Sequence, residues 1–415
     1  MAFNTIPGAA GTDAATSYIG TAGVDALVLI NQTTGTADVR GQAAGDAITW
    51  NSYTNVTVGT SMRGGKGTDT FNPVAAASGN LSGAFINGQK DRDVFGGVIG
   101  LATTANSTLM GGQGADAITF ASGTVTGSIV NGNKNADVIT TVGTQSSSIY
   151  GGQGIDQLVV SGANSGSIIR GNLDGDTIQL AGTFAGTTVN GNAGNDTIND
   201  GAAAITAFAT SAVNGGGGND TINLSNNTGA IGLVVSGDNG NDNVTTSTGT
   251  DTVNGGAGAD TLTAGAGADA IDGGTGADTF TQTNGAVAAA TGGTALAANL
   301  VTEGETVLVA ADVITNFEAG TDTIDTTVGT AAVQAGVGIN AGSGLGIIDT
   351  TDNGGHFVAR GNYVAGTFTF SATGSDLASF TATNGAGAAV AVGTAFTVLK
   401  DQGANVANVI AGNWA

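Results

Sequence analysis

The sequence predicts an all-β protein built as a solenoid of short, stacked strands, and two observations carry this prediction. Aspartates recur every nine residues from Asp242 to Asp278 and about every 18 to 24 residues upstream, a period typical of solenoids. An apolar residue follows each aspartate by two positions, and in nearly every unit another precedes it by seven. Strands of about three to five residues cannot close a core alone, so successive coils must bury each other's apolar faces.

The repeating unit spans residues 20–280. Its fifteen anchors are Asp25, Asp46, Asp69, Asp93, Asp116, Asp137, Asp156, Asp176, Asp196, Asp220, Asp242, Asp251, Asp260, Asp269 and Asp278. The apolar residues around each anchor, such as Leu109 and Ile118 around Asp116, are the predicted inward positions of two strands that flank a turn. The Thr, Asn and Ser residues between them are expected to face outward.

The predicted turn is rich in glycine. Gly-Gly-x-Gly-x-Asp occurs six times, at Gly64–Asp69, Gly111–Asp116, Gly151–Asp156, Gly215–Asp220, Gly255–Asp260 and Gly273–Asp278. Glycine permits positive φ and close backbone approach, so several carbonyl oxygens can converge beside one carboxylate. Oxygen ligands with an anionic side chain fit calcium better than magnesium or a transition metal.

In a single turn, glycine and aspartate need no ion, because they also form ordinary tight turns. Fifteen stacked anchors favour cations, since carboxylates about 4.8 Å apart repel one another unless positive charge lies between them. The candidate calcium ligands are Gly64, Gly67, Asp69, Gly111, Gly114, Asp116, Gly151, Gly154, Asp156, Asp176, Asp196, Gly215, Gly218, Asp220, Asp242, Asp251, Gly255, Gly258, Asp260, Asp269, Gly273, Gly276 and Asp278.

These motifs resemble the repeat-in-toxin (RTX) family, whose nonapeptide is G-G-x-G-x-D-x-U-x, with U an apolar residue. The resemblance implies a right-handed parallel β-roll with multiple calcium ions in its turns. Consecutive nonapeptides of such a roll turn on opposite sides. This places Asp242, Asp260 and Asp278 in one row and Asp251 and Asp269 in the other, and the longer upstream units continue the first row.

Several turns depart from the motif, including those before Asp93, Asp137, Asp176 and Asp242. Asn and Asp tolerate the left-handed conformation, so these turns can persist where calcium coordination is in doubt. Lys66, Lys90, Arg92 and Lys134 lie in or beside them. Their side chains either replace cations by pairing with aspartates of neighbouring coils, which we favour, or are solvated surface charges.

Residues 1–19 are expected to be a short segment for assembly or capping, and residues 281–310 an Ala/Gly/Thr-rich connection. Residues 311–415 are expected to form a smaller strand-rich carboxy-terminal domain. In this domain Asp312, Glu318, Asp322 and Asp325 either bind a further ion or are turn and strand-end residues. The resemblance implies a type I secretion signal here, which agrees with the absence of a recognisable signal peptide at the amino terminus.

The amino-acid composition limits the kinds of partner that the protein can bind and the chemistry that it can perform. The net charge of −23 argues against nucleic acid and anionic membranes, the absence of cysteine excludes disulfides, and no segment has the length of a membrane span. The only histidine, His356, is expected in a turn or at the surface, and no nucleophile elbow is present. We therefore expect no enzyme, although Arg63 and Arg170 are weak candidates for a polysaccharide lyase.

Two function classes remain. The favoured one is a secreted, calcium-stabilised structural protein of the cell exterior that assembles with itself into a surface layer, filament or matrix. The alternative is a secreted enzyme or adhesin that uses the β-roll as a scaffold. Cell-surface polysaccharide is a further candidate partner.

Overall fold

A computed structural model describes residues 3–6, 16–29, 37–50, 59–73, 81–96, 104–201, 205–227, 231–282, 306–308, 311–318, 321–326, 355–370, 374–383 and 391–402. All regular elements in these ranges are β-strands, which confirms the all-β prediction. No helix among them is long and apolar enough to cross a membrane. The chain divides into two compact units, Met1–Gly218 and Asn219–Ala415. The four segments expected from the sequence stay a prediction.

The described residues of the first unit contain 25 strands. They are β1 Phe3–Ile6, β2 Thr16–Ile19, β3 Ala26–Leu29, β4 Ala37–Arg40, β5 Ala47–Trp50, β6 Ser61–Gly65, β7 Thr70–Pro73, β8 Leu81–Ser82, β9 Phe85–Lys90, β10 Val94–Phe95, β11 Thr104–Ala105, β12 Thr108–Gln113, β13 Ala117–Thr119, β14 Val125–Thr126, β15 Ile129–Lys134, β16 Val138–Gln145, β17 Ser148–Gln153, β18 Gln157–Ser165, β19 Ile168–Leu173, β20 Thr177–Leu180, β21 Gly182–Ala185, β22 Thr188–Ala193, β23 Thr197–Asn199, β24 Ile205–Ala209 and β25 Ala212–Gly217.

These strands form a parallel β-solenoid. Strands that precede an anchor aspartate stack on one another in the order β2, β4, β6, β9, β12, β15, β17, β19, β22 and β25. Strands that follow an anchor form a second stack, in the order β3, β5, β7, β10, β13, β16, β18, β20 and β23, and β1 pairs with β3 at its start. One coil therefore consists of a strand, the glycine-rich turn, a second strand and a turn on the opposite edge.

The core lies between the two stacks, at the positions predicted from the sequence. Leu109, seven residues before Asp116, and Ile118, two residues after it, have no exposed surface, and their counterparts in neighbouring coils are equally buried. Phe71 and Phe95 occupy the same position in successive coils and stack with ring centroids 4.8 Å apart. Each such side chain contributes about 1.5–3 kcal/mol through burial, so every coil depends on its neighbours.

In the part of the second unit that the structure describes there are 16 strands. They are β26 Thr221–Asn223, β27 Val234–Asn239, β28 Asn243–Thr245, β29 Thr248–Gly249, β30 Thr252–Ala257, β31 Thr261–Thr263, β32 Ala266–Gly267, β33 Ala270–Thr275, β34 Thr279–Gln282, β35 Thr306–Leu308, β36 Asp312–Thr315, β37 Thr323–Thr326, β38 Gly355–Val364, β39 Thr367–Phe370, β40 Asp376–Thr383 and β41 Ala391–Leu399.

The second unit combines a parallel roll with an antiparallel sheet. In the roll, β27, β30, β33 and β36 stack in order, as do β26, β28, β31, β34 and β37. Strand β38 pairs antiparallel with β39 and β40, and β40 pairs antiparallel with β41. Strand β41 also runs parallel to β36 and so joins the sheet to the last coil. Residues 311–326 thus add one more coil to the roll.

Two further expectations from the sequence concern His356 and the segments outside the roll. His356 lies within β38, opposite Thr381 of β40, and not in a turn, whereas its expected place at the surface stays a prediction. The apolar tail around Trp414 and most of the connection at 281–310 lie outside the described residues.

Candidate metal centre

The anchor aspartates of the first unit form a continuous hydrogen-bonded row, which we call the aspartate ladder. In each rung, Oδ1 of one aspartate accepts a hydrogen bond from the backbone N–H of the anchor aspartate in the preceding coil. The distances are 2.6–2.8 Å from Asp25 to Asp196, through Asp46, Asp69, Asp93, Asp116, Asp137, Asp156 and Asp176. One carboxylate oxygen per coil therefore fixes the register of the glycine-rich edge.

The second unit has a ladder on each of its two edges. Asp220, Asp242, Asp260, Asp278 and Asp322 form the first, with N–H to Oδ1 distances of 2.7–3.0 Å. On the opposite edge Oδ1 of Asp251 accepts the N–H of Leu233, and Asp269 and Asp312 continue that row. The predicted division of the nonapeptide aspartates between two rows is confirmed.

The second oxygen of most ladder carboxylates is buried and unpaired. Within the described chain, Oδ2 has no hydrogen-bond partner in Asp69, Asp93, Asp116, Asp137, Asp156, Asp176, Asp242, Asp251, Asp260, Asp269 and Asp278. Two ladder carboxylates differ in that their second oxygen has a hydrogen-bond partner. In the first unit Oδ2 of Asp46 accepts the N–H of Gln42, and in the second unit Oδ2 of Asp322 accepts the N–H of Glu318. A buried anionic oxygen without a partner is strongly unfavourable, so these atoms require a cation or a proton.

Glycine makes room for oxygen atoms around this carboxylate. A Cβ on Gly111, the first glycine of its turn, would overlap Oδ2 of Asp116 and lie 2.6 Å from the carbonyl oxygen of Gly132 in the next coil. Gly114 has φ 139°, a conformation that side chains disfavour. The turn thus brings a carboxylate oxygen and a main-chain carbonyl oxygen close together.

Burial raises the pKa of the ladder carboxyls. It raises the pKa of Asp69 to about 7 and those of Asp93, Asp137 and Asp176 to about 8, with the neighbouring aspartates adding to the effect. Burial raises the pKa of Asp116 to about 6. Removal from water disfavours the charged form, and the same energy favours binding of a compensating cation.

The ligands come from main chain as well as side chains. No group of three or more His, Cys, Asp or Glu side chains converges among the described residues. A ladder supplies only one carboxylate per coil, so a cation between coils has to complete its coordination with carbonyl oxygens. Carboxylates combined with carbonyls are the ligand set of calcium, and the residues present fit that ion.

The turns that depart from the motif keep the same backbone shape with other residues. Asn133 and Asn135, before Asp137, have φ 79° and 75° at positions where the full motif has glycine. The side chain of Asn135 accepts a hydrogen bond from the N–H of Gly114 in the preceding coil, and Asp91 does the same for Gly67. Asp137 keeps both its rung and its unpaired Oδ2.

The basic residues of these turns do not form ion pairs with the ladder aspartates in the described chain, although the charge of Arg92 lowers the pKa of Asp116 against the larger effect of burial. Lys66, Lys90, Arg92 and Lys134 are exposed, and none forms an ion pair with a ladder aspartate in the described part of the chain. The favoured interpretation of these side chains as substitute cations was wrong. The reason is geometric, because their side chains point to solvent and the aspartate points inward.

The opposite edge of the first unit carries a neutral ladder. The hydroxyl oxygens of Ser107, Ser128 and Ser147 each accept the backbone N–H of the residue one coil earlier, at 3.0–3.1 Å. Each hydroxyl also donates to the carbonyl two residues before it. Both functions of the hydroxyl are satisfied, so this edge needs no ion.

Sequence reasoning left two ladder members undecided. From the sequence, Asp312 and Asp322 were interpreted either as ligands of a further ion or as turn and strand-end residues. The structure places each of them at the end of one ladder. The signal was present in "FEAGTD" (317–322), which retains the Gly-x-Asp ending and the apolar Ile324 of the repeat. Phe317 replaces the first glycine and packs on Phe280 with centroids 5.8 Å apart. The side chain of Asp325 lies outside the described part of the structure.

Residues 182–204, 212–226 and 245–280 match the RTX calcium-binding nonapeptide repeat, in four copies. No curated protein matches the chain significantly. The repeat match and the ladder geometry agree, and repeats of this kind bind multiple calcium ions. Calcium supplies positive charge between buried carboxylates.

Proposed function

Because the chain carries RTX calcium-binding repeats, we propose that it is a non-enzymatic structural protein of the cell exterior that assembles with copies of itself. The assembled form would be a surface layer, filament or matrix. The observation that carries the proposal is the pairing of the first strands. Among the described residues, β1 pairs only with β3 and β2 only with β4, so each offers an unpaired edge. Proteins usually cover such edges unless association is wanted.

The cellular location follows from the same repeats. RTX proteins are typically secreted, and extracellular calcium would keep the ladders loaded. The carboxy-terminal region would then carry a type I secretion signal. The lack of cysteine is compatible with this location, because calcium takes the stabilising role that disulfides have in many secreted proteins.

A non-enzymatic role is supported by the composition of the outer faces. Side chains on the outer face of the second stack are small and mostly uncharged, such as Thr119, Gln157 and Thr197. The buried carboxylates that could serve in acid–base chemistry belong to the ladders. An enzyme or adhesin that uses the roll as a scaffold is the alternative, and it predicts a monomer.

Sedimentation velocity with the full chain at several calcium concentrations tests the proposal. We expect oligomers in calcium and their loss when residues 1–19 are deleted, with the circular dichroism of the roll retained as a control for folding. Electron microscopy of the calcium-loaded protein would distinguish sheets from fibres. A monomeric full chain at high protein and calcium concentrations would refute self-assembly.

A further inference from the structure

The basic residues of the first unit are confined to one side of the solenoid. Residues 1–218 contain seven Lys and Arg, and each stands six, three or one positions before a ladder aspartate. They are Arg40, Arg63, Lys66, Lys90, Arg92, Lys134 and Arg170. The outer face of the second stack and the opposite edge contain none. We call these seven residues the basic row.

Strand register aligns the row along the stack. Arg40 is paired with Arg63 in adjacent strands, and Lys90 and Lys134 both pair with Gln113, which lies between them. Adjacent strands are about 4.8 Å apart, so the seven coils from Asp46 to Asp176 place these cations along a line of about 29 Å. Arg40, Lys66, Lys90, Arg92 and Lys134 are exposed. The Nε of Arg170 has no hydrogen-bond partner among the described residues.

The charge of this side depends on the ladder beneath it. Residues 1–218 contain 14 aspartates, of which nine form the ladder. Once calcium compensates these nine, the acidic residues that remain in residues 1–218 are Asp13, Asp38, Asp91, Asp174 and Asp200. Asp38 is already bound to Arg40 and Arg63. The formal charge of the unit therefore changes from −7 to +2.

The coupling between ladder and row is short-ranged. Lys66, Lys90 and Lys134 each stand three residues before a ladder aspartate, a backbone distance of at most about 10 Å. This is close to the screening length of about 8 Å at physiological ionic strength. An uncompensated ladder therefore offsets the field of the lysines, and a calcium-loaded ladder does not.

We propose that the basic row is a binding site for a linear anionic polysaccharide and that calcium in the ladder switches this site on. The line of cations at strand spacing matches a linear polymer with repeated negative groups, whose many weak contacts add along its length. The proposal does not depend on self-assembly, because it needs only one calcium-loaded first unit.

Binding of the full-length protein to immobilised dextran sulfate at pH 8, with neutral dextran as blank, tests the site. We compare the wild type with Lys66→Gln/Lys90→Gln/Lys134→Gln, which introduces the residue found at Gln113 and Gln153 of the same column. The matched control is Gln145→Glu/Ser165→Glu/Ala185→Glu, which makes the same change of net charge on the strands beside the opposite edge, away from the aspartate ladder. Circular dichroism in calcium and in chelator checks that all three are folded under both conditions.

We expect wild-type binding only in calcium, about tenfold weaker binding for the lysine variant, and binding within about twofold of wild type for the control. Equal loss in both variants would indicate an effect of net charge and would overturn the site. Full binding by the lysine variant would indicate calcium bridging between sulfate and carboxylate groups, which also overturns it. Equal wild-type binding in chelator would overturn the switch. Loss of self-association without loss of dextran sulfate binding in the lysine variant would assign the row to a second copy instead.

Discussion

Replacement of Asp116 by asparagine separates the two roles of a ladder carboxylate. Oδ1 of Asp116 accepts the N–H of Asp93 at 2.7 Å, and the amide oxygen of asparagine can keep this rung. Oδ2 is buried without a partner and is the oxygen available to calcium. The variant Asp116→Asn therefore keeps the hydrogen bond and removes the negative charge.

The magnitude follows from the burial of the carboxyl. Burial raises the pKa of Asp116 from 3.8 to about 6, so at pH 8 the ionised group destabilises the metal-free fold by about 3 kcal/mol. Asparagine carries no charge and so removes this destabilisation of the metal-free fold. Its buried, unpaired amide nitrogen costs about 1–2 kcal/mol, which offsets part of the gain in stability. With calcium at a hundred times its dissociation constant, each bound ion stabilises the fold by about 2.7 kcal/mol, which the variant loses.

We expect the effect of this substitution on stability to change sign when calcium is added. In chelator at pH 8, Asp116→Asn should unfold at a higher urea concentration than the wild type, and in saturating calcium at a lower one, as followed by far-UV circular dichroism. Asp91→Asn is the matched control, because Asp91 is exposed and asparagine can still accept the N–H of Gly67. Destabilisation of Asp116→Asn by the same amount with and without calcium would show that the ladder is structural only.

Three further predictions concern the whole roll. Removal of calcium at pH 8 should lower the urea midpoint of the roll and its return should restore it; equal midpoints with and without excess chelator would contradict calcium-dependent stability. Without calcium, stability should fall steadily from about pH 4 to pH 8, because the folded-state pKa values of Asp69 and Asp137, about 7 and 8, lie above the unfolded value of 3.8. The favourable contribution of these groups is complete below pH 3.8 and is lost as pH rises through the folded pKa values, so urea midpoints that increase with pH would oppose this sign. Ser147→Ala should destabilise the protein by about 1 kcal/mol whether or not calcium is present, because it removes hydrogen bonds and no ion ligand. Asp269→Ala should instead lower the number of calcium ions bound per chain in isothermal titration calorimetry. Equal calcium stoichiometry in both variants would argue against a calcium site on the second edge.

The sequence was sufficient to predict the core and the rows because both follow from periodicity. A residue two positions after each aspartate has to face inward whenever the coil repeats, so Ile118 and Phe95 were identified without coordinates. The resemblance to the RTX family implied in addition that Asp260 and Asp269 lie on opposite edges, as the ladder bonds confirm. Periodic features depend on one repeated geometry, which a single chain displays many times.

The remaining features depend on single contacts. Spacing alone does not show that one aspartate oxygen pairs with the preceding coil while the other stays unpaired, as in Asp93. Asp322 stands 44 residues after Asp278 and lacks the first glycine, so the period did not reveal it. The basic side chains were misassigned because the sequence gives the position of Lys90 but not the outward direction of its side chain.

The two edges of the roll give the two units different requirements for calcium. On the opposite edge of the first unit, the hydroxyl of Ser147 accepts a hydrogen bond from the N–H of Ser128 and donates one to the carbonyl of Gln145, so the turn is complete without an ion. On the equivalent edge of the second unit, Asp251 and Asp269 each bury an oxygen with no partner. A coil of the first unit thus has one turn that calcium must complete, and a nonapeptide coil of the second unit has two. Because each uncompensated buried carboxylate destabilises its coil, falling calcium should open the second unit before the first.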